Sequence, residues 1–130
     1  TFTQALANKI HEDSLILAPI PELKSRDDLS QVADFLFATK GTDVVVVYGI
    51  QRNKVLLSAR SRRENLHLGL SLSKQFPEGQ AGGHKGLAGG QILFETLGFE
   101  EFADVDEKGI EILNMMTEQL RNIFTLEDLS

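Results

Sequence analysis

The run Val44–Tyr48, four valines and a tyrosine, constrains the fold more than any other part of this 130-residue chain. Uninterrupted β-branched residues are typical of a strand covered on both faces, because a strand with one wet face alternates apolar and polar residues. Gln51–Asn53 follows as a turn, in which Asn53 can adopt a left-handed conformation, and Lys54–Ser61 returns as a second strand. The pattern predicts a hairpin inside a sheet that has helices on both sides.

Helices and further strands are predicted around this hairpin. Apolar spacing and capping residues predict four helices: Thr3–Asp13, Asp27 or Asp28 to Gly41, Asn65–Phe76, and one that begins after Asp104. Apolar runs predict strands at Ser14–Ile20, stopped by Pro19 and Pro21, and at Gln91–Phe94. We therefore expect an α/β fold: a mixed β-sheet of about four to five strands flanked by helices, in a single domain.

The helix after Asp104 has the longest amphipathic pattern in the chain. Polar residues such as Glu111 and Glu118 are expected to face water. The residues expected to form its buried stripe are Ile110, Leu113, Met116, Leu120, Ile123 and Phe124.

Composition narrows the class of protein. The chain has no cysteine, which excludes disulfides and thiolate metal sites and fits a cytoplasmic location. It has no apolar run near the length of a membrane span, so no membrane partner is expected. The first residue is Thr1 rather than methionine, which suggests a domain excised from a longer protein.

Charge is divided unevenly along the chain. The net charge is −6, yet the segment from Ile50 to Gly86 holds seven Lys and Arg against two Glu. A basic segment in an otherwise acidic chain favours a local anion site over general binding of long nucleic-acid duplexes. Short phosphate ligands bound in a cleft fit this distribution best.

Six of the eleven glycines fall within Gly79–Gly90, around His84 and Lys85. Glycine is costly to order, so such a run indicates positive φ angles or close approach of the backbone to another group. One interpretation is a cradle of backbone amides for a phosphate or carboxylate. The other is tight packing, and for Gly86–Gly90 we expect a turn of helix lying close on the sheet.

The candidate anion-binding residues come from the second hairpin strand and from the glycine run. Arg60 stands near the end of that strand and Arg62 follows two residues later, where the chain leaves the sheet. The two can bind one phosphate together, unless Arg62 and Arg63 are merely solvated. Lys85 is either a further donor or a surface lysine. The predicted substrate-binding residues are Arg60, Arg62, Gly82, Gly83, His84 and Lys85.

Hydrolytic machinery is not evident in the sequence. His11 and His67 lack partners at metal-ligand spacing, and the acidic run from Glu100 to Glu107 is typical of a helix N-terminus. The glycine run is followed by no Walker lysine and serine, and it does not fit the dinucleotide-binding pattern. The sequence therefore predicts neither a catalytic residue nor a metal site in this chain.

Two segments together resemble a known family. Ser58-Ala59-Arg60-Ser61-Arg62, followed by the run from Ala81 to Gly90, resembles the DHHA1 domain, the C-terminal domain of DHH-superfamily phosphoesterases. That superfamily includes single-strand exonucleases, nano-RNases and exopolyphosphatase-related proteins. Its glycine motif is Gly-Gly-Gly-His-x-x-Ala-Ala-Gly. Here Ala81 replaces the first glycine and Leu87 the first alanine.

The resemblance implies a division of labour between two domains. In such proteins an N-terminal DHH domain holds two divalent metals, Mn²⁺ or Mg²⁺, while the C-terminal domain binds the nucleotide and phosphates of the substrate. It implies that Arg60 contacts a substrate phosphate and that Gly82, Gly83 and His84 line the cleft, with His84 nearest the scissile phosphate. Residues 1–130 would then form a single DHHA1-like domain that requires its missing partner domain for catalysis.

The same domain type ends alanyl-tRNA synthetases, which leaves an alternative open. There the resemblance implies a non-catalytic module for RNA binding or dimerisation. The expected partners are thus a short oligonucleotide, nucleotide or other phosphoester, the absent DHH domain, or a second copy of the chain in a homodimer.

Overall fold

The computed structural model describes residues 2–77 and 79–125 and confirms an α/β architecture in a single domain. Its helices are α1 (Phe2–Asn8), α2 (Arg26–Phe37), α3 (Leu68–Gln75) and α4 (Val105–Phe124), with a 3₁₀ turn at Phe94–Leu97. Its strands are β1 (Ile10–Glu12), β2 (Leu15–Ile20), β3 (Val44–Gln51), β4 (Lys54–Ser61), β5 (Ala81–Gly83) and β6 (Leu87–Leu93). The sheet has six strands rather than the expected four to five.

The strands lie in the order β1-β2-β3-β4-β6-β5, and only β2 and β3 are parallel. The predicted central hairpin is confirmed, with Val44 opposite Ser61 and Gln51 opposite Lys54. Every residue from Val44 to Ile50 is buried, as a strand covered on both faces requires. In the hairpin turn the left-handed residue is Arg52, with φ of 59°, and not Asn53.

Strand β1 occupies the end of the predicted first helix. Helix α1 ends at Asn8, whose side-chain amide donates to the Gln4 carbonyl at 2.8 Å. Asp13, with φ of 53°, and Ser14 then form a two-residue turn, since Glu12 lies opposite Leu15. Aspartate tolerates this left-handed conformation, and pairing with β2 outweighs the helical spacing of the sequence.

Strand β2 continues through Pro19 to Ile20, so the expectation that Pro19 stops it is wrong. Strand β1 pairs only with Leu15–Leu17. At Pro19 the strand therefore has a neighbour on one side alone, where a missing N–H is tolerated.

The glycine run forms a hairpin of strands β5 and β6, and the helical turn expected at Gly86–Gly90 is wrong. Strand β6 pairs with β4 on one side and with β5 on the other. A Cβ atom at Gly89 would lie 2.8 Å from the Leu57 carbonyl oxygen. The close approach expected of these glycines is therefore real, but it is made to neighbouring strands.

Two apolar cores cover the two faces of the sheet. Helices α1 and α2 pack on one face with Leu56, while α3 and α4 pack on the other with Val55, Leu57 and Ala59. Successive side chains along β4 therefore point to opposite faces of the sheet.

Helix starts and buried stripes differ in part from the prediction. Helix α2 is capped by Ser25, which accepts from the Asp27 amide, and α3 by His67 rather than Asn65. Asp104 caps α4 as expected. In α4, however, Ile112 is fully buried, whereas Ile110 of the predicted stripe is 76% exposed.

Tyr48 carries a polar group into the core beneath α4. Its hydroxyl donates to Thr117 Oγ1, which in turn donates to the Leu113 carbonyl at 2.8 Å. Burial raises the pKa of Tyr48 to about 12, although the hydrogen bond with Thr117 acts in the opposite direction. The folded chain therefore strongly favours the neutral phenol.

We expect alkaline pH to destabilise the fold through Tyr48. The stabilisation of the neutral phenol is complete below the unfolded pKa of 10.0 and is lost as pH rises towards the folded pKa of about 12. At pH 11 the loss is about 1.4 kcal/mol in the free energy of unfolding. The chain has one tyrosine and no tryptophan, so phenolate absorbance follows this group alone. Tyr48→Phe should lack this component, and a folded-state phenolate transition at pH 10 would contradict the assignment.

Candidate functional site

A groove runs over the glycine-rich strands beside the first turns of α2. Its larger part is a cavity of about 640 Å³ above β5 and β6, and its smaller part is a cavity of about 250 Å³ that reaches Ser58 and Arg60 on β4. Both parts are lined by Arg26, Gly89 and Gly90, so they adjoin. We call the two cavities together the glycine groove.

The floor of the glycine groove is a row of small residues from three strands. Ser58 pairs with Gly89, and Gly89 pairs with Gly82. No side chain in this row is larger than a hydroxymethyl group, so a ligand can approach the peptide backbone closely. The chain thereby provides a flat polar surface in an otherwise apolar sheet.

Arg60 lies at one end of the groove and is held firmly. Its residue is only 8% exposed, and its Nε donates to Asp34 of α2 at 3.0 Å. Its Nη1 donates to Ser58 Oγ at 3.0 Å and to the Ala59 carbonyl at 2.9 Å. A guanidinium fixed in this way loses little further entropy when it binds an anion.

Arg62 is engaged at the other end of α2. Its guanidinium donates to the carbonyls of Thr42 and, at 2.9 Å, of Phe37, and it stacks 3.7 Å from the centre of the Phe37 ring. A cation is favourable at the C-terminal end of a helix. Arg63 donates to Ser14 Oγ at 2.8 Å, so neither arginine is merely solvated. A role for Arg62 in phosphate binding stays a prediction.

The turn between β5 and β6 directs its carbonyls inward. Those of His84 and Lys85 accept from the Gly69 and Leu68 amides at 3.0 Å, which uses donors at the N-terminus of α3. The His84 side chain is exposed. Lys85 lies 3.8 Å from Glu64, and both of these side chains are also exposed.

The structure brings this turn to Arg60. Arg60 lies opposite Leu87, whose carbonyl accepts from the His84 amide at 2.9 Å, and the Gly86 carbonyl accepts from the Ser61 amide at 3.0 Å. Residues separated by more than twenty positions therefore meet at one end of the sheet. The walls of the two cavities include Arg60 and Gly82 but not Gly83, His84 or Lys85, so this turn lies beside the groove and not in its lining. The role of each residue stays a prediction.

Gly82 and Gly83 of the predicted loop differ in whether the fold requires a glycine at that position. Gly83 has φ of 143°, and a Cβ atom there would lie 2.7 Å from Ala88 Cα, so its small size serves the fold. Gly82 has no positive φ, and a Cβ atom there would meet nothing closer than 4.0 Å. Gly82 is therefore the glycine of this pair that the fold itself does not demand.

Arg26 is a groove residue that the sequence reasoning missed. It is the first residue of α2, is exposed and lines both cavities. Within residues 2–77 and 79–125 its side chain has no recorded hydrogen bond or ion pair. The available signal was a cation in the first turn of a helix, where the helix dipole favours acidic residues.

The described part of the chain lacks two features that would point to other functions. It contains no group of three or more His, Cys, Asp or Glu residues placed to hold a metal ion. None of its helices is long and apolar enough to cross a membrane.

A family model described as the DHHA1 domain matches residues 12–122. The match includes the glycine groove and the whole sheet apart from the first two residues of β1. The chain therefore belongs to the DHHA1 family. This confirms the resemblance seen in the sequence. An uncharacterized protein of Methanocaldococcus jannaschii, MJ1633, is 33% identical over 84 residues, which are 65% of this chain and 17% of that protein.

Solved structures share the fold at low sequence identity. A pGpG-specific phosphodiesterase of Vibrio cholerae has a TM-score of 0.51 at 17% identity, over 88% of this chain and 37% of its own. An exopolyphosphatase-related protein of Bacteroides fragilis has a TM-score of 0.59 at 14% identity, over 93% and 33%. The C-Ala domain of Aquifex aeolicus alanyl-tRNA synthetase has a TM-score of 0.53 at 19% identity, over 87% and 97%. The chain thus spans about a third of the two phosphoesterase-related proteins and nearly all of the C-Ala domain.

Proposed function

We propose that this DHHA1 domain is the substrate-binding part of a metal-dependent DHH-family phosphoesterase. In this proposal the glycine groove binds the phosphates of a nucleotide or short oligonucleotide. The observation that carries it is the groove that joins Arg60 to the floor formed by Ser58, Gly89 and Gly82, in a chain of this family.

The chemistry of the groove suits a phosphate ligand. Arg60 provides a fixed planar donor, which matches the oxygens of a phosphate group. The glycine floor allows the ligand to approach the peptide backbone. In this proposal the exposed side chain of His84 donates a hydrogen bond to the ligand from the turn beside the groove. The acidic remainder of the chain repels anions elsewhere, so it favours binding within the groove.

Hydrolysis itself is assigned in this proposal to a DHH domain outside residues 1–130. The related phosphodiesterase and exopolyphosphatase-related protein are about three times as long as the matched region. Two Mn²⁺ or Mg²⁺ ions in that domain would activate water and neutralise charge on the scissile phosphate. The present domain would hold the substrate and keep His84 close to that phosphate.

Calorimetric titration with adenosine monophosphate and with a short oligoadenylate tests the proposal. Arg60→Ala removes a charge-assisted contact and is expected to weaken binding about tenfold or more, and His84→Ala is expected to weaken it as well. Arg52→Gln is the matched control, because Arg52 is an exposed arginine at the opposite end of the β3–β4 hairpin. Circular dichroism should verify that Arg60→Ala, which frees the 69%-exposed Asp34, remains folded. Unchanged affinity in folded Arg60→Ala and His84→Ala would place the site elsewhere.

The coverage of the C-Ala domain supports a second candidate, an RNA-binding or association module. Such a module would bind long structured RNA with a steep salt dependence and would not bind mononucleotides. Sedimentation of the chain without ligand would reveal self-association. Mononucleotide binding that depends on Arg60 would favour the phosphoesterase assignment instead.

A further inference from the structure

The basic side chains near the glycine groove differ in whether they already form hydrogen bonds or ion pairs within the protein. Arg60 is paired with Asp34, Arg62 holds the end of α2, and Lys85 lies near Glu64. Within the described ranges, Arg26 is the groove-lining cation for which no hydrogen bond or ion pair is recorded. Its charge is therefore available to a ligand without a bond being broken.

The position of Arg26 carries a local cost. It is the first residue of α2, directly after the capping residue Ser25, where the helix dipole disfavours a positive charge. Asp27 and Asp28 in the same turn complement the dipole, so α2 does not need Arg26 for its own stability. A cation at this point is explained by contact with an anion in the groove.

Arg26 and Arg60 act at different points along the groove. Arg26, Ser30 and Asp34 follow one another at four-residue intervals on α2, and Asp34 binds Arg60. Arg26 and Asp34 are eight residues apart, which is about 12 Å along a helix axis. Arg26 also lines the larger cavity, which Arg60 does not reach.

We propose that Arg26 is a specificity-determining residue of the glycine groove, where it contacts a second anionic group of the ligand. The groove then favours a ligand with two separated phosphates over one with a single phosphate. This inference rests on the proposed function, because it assumes that Arg60 binds the first phosphate.

The dinucleotide ApA, with and without a 5′ phosphate, separates the two contacts in the 130-residue chain. The wild-type chain is expected to bind the 5′-phosphorylated form about tenfold more tightly. Arg26→Gln should abolish that preference and leave the affinity for unphosphorylated ApA unchanged. Arg26→Lys, which keeps the charge, should restore part of the preference, and Arg52→Gln should retain all of it.

Salt dependence gives a second readout. For the phosphorylated dinucleotide, Arg26→Gln should reduce the slope of log affinity against log salt, because one charge contact with the ligand is lost. Arg52→Gln should leave the slope unchanged.

The outcomes distinguish the inference from the proposed function. If Arg60→Ala weakens both ligands while Arg26→Gln alters neither, the role of Arg26 is refuted and the proposed function stands. If Arg26→Gln weakens both ligands equally, Arg26 is a general electrostatic contributor and the specificity is refuted. If the wild-type chain binds neither ligand, the proposed function and the inference both fail.

Discussion

Ile112→Ala is expected to lower the free energy of unfolding by about 2–5 kcal/mol, whereas Ile110→Ala should change it by no more than about 0.5 kcal/mol. Ile112 is fully buried in the core between α4 and the sheet, and its truncation leaves a cavity among β-strand side chains. Ile110 is 76% exposed, so little apolar surface is lost when it is shortened. Both changes remove the same atoms from the same helix, which makes Ile110→Ala the matched control.

Urea denaturation followed by circular dichroism measures this difference. Ile110 and Ile112 are two positions apart, which corresponds to a rotation of about 200° around the helix axis. The two side chains therefore face nearly opposite directions. Equal costs, or a larger cost at Ile110, would show that α4 packs with a different face on the sheet. That outcome would also contradict the contact between Tyr48 and Thr117, since Thr117 lies on α4.

Gly90→Ala is expected to destabilise the fold by about 3 kcal/mol or to prevent folding. A Cβ atom there would lie 2.2 Å from the Gln80 carbonyl oxygen and 2.8 Å from Ala81 Cα. Both are backbone atoms, one in the first residue of the paired strand β5 and the other in the residue before it, so relief requires the two chain segments to separate. The Gln91 amide, which donates to the same Gln80 carbonyl at 2.8 Å, would lose its partner in that movement.

Gly82→Ala is the matched control for this change. It adds the same methyl group in the same hairpin, but the nearest atoms lie 4.0 Å away, and stability should change by no more than about 0.5 kcal/mol. Thermal unfolding of the two variants tests the pair, and comparable losses would contradict the close β5–β6 approach. Because Gly82→Ala should fold normally, loss of nucleotide affinity in that variant would report on ligand contact rather than on the hairpin.

The central fold could be predicted because its signals are local. The valine run and the Lys54–Ser61 return strand specify their own pairing through burial on both faces and a short turn. Short strands were missed because their pairing depends on distant partners. Residues Ile10–Glu12 fit the helical spacing of the residues before them, and they form a strand because they pair with β2. The composition of Ala81–Gly83 does not favour a strand, and this segment forms one because it pairs with β6.

The candidate site divides in the same way. Arg60 and the Gly-Gly-His run could be recognised from their motif, and the structure places them on strands separated by one neighbour, because β6 lies between β4 and β5. Arg62 could not be assigned from spacing alone, because its partners are distant in sequence: the carbonyl of Phe37 at the end of α2 and that of Thr42 in the loop before β3. Arg26 could be noticed only as a cation in the first turn of a helix, because nothing in the sequence indicates that the start of α2 adjoins the glycine strands.

The sequence by itself determined the family, the layered α/β class and the buried hairpin, because these depend on motif and on residue periodicity within one segment. Only the tertiary structure decided that the glycine run forms strands and which face of α4 is buried. It also decided which arginine lines the groove without a hydrogen bond or ion pair to the described part of the chain. Each of these depends on which atoms of distant segments come within hydrogen-bonding or van der Waals distance. A linear pattern carries no measure of that distance.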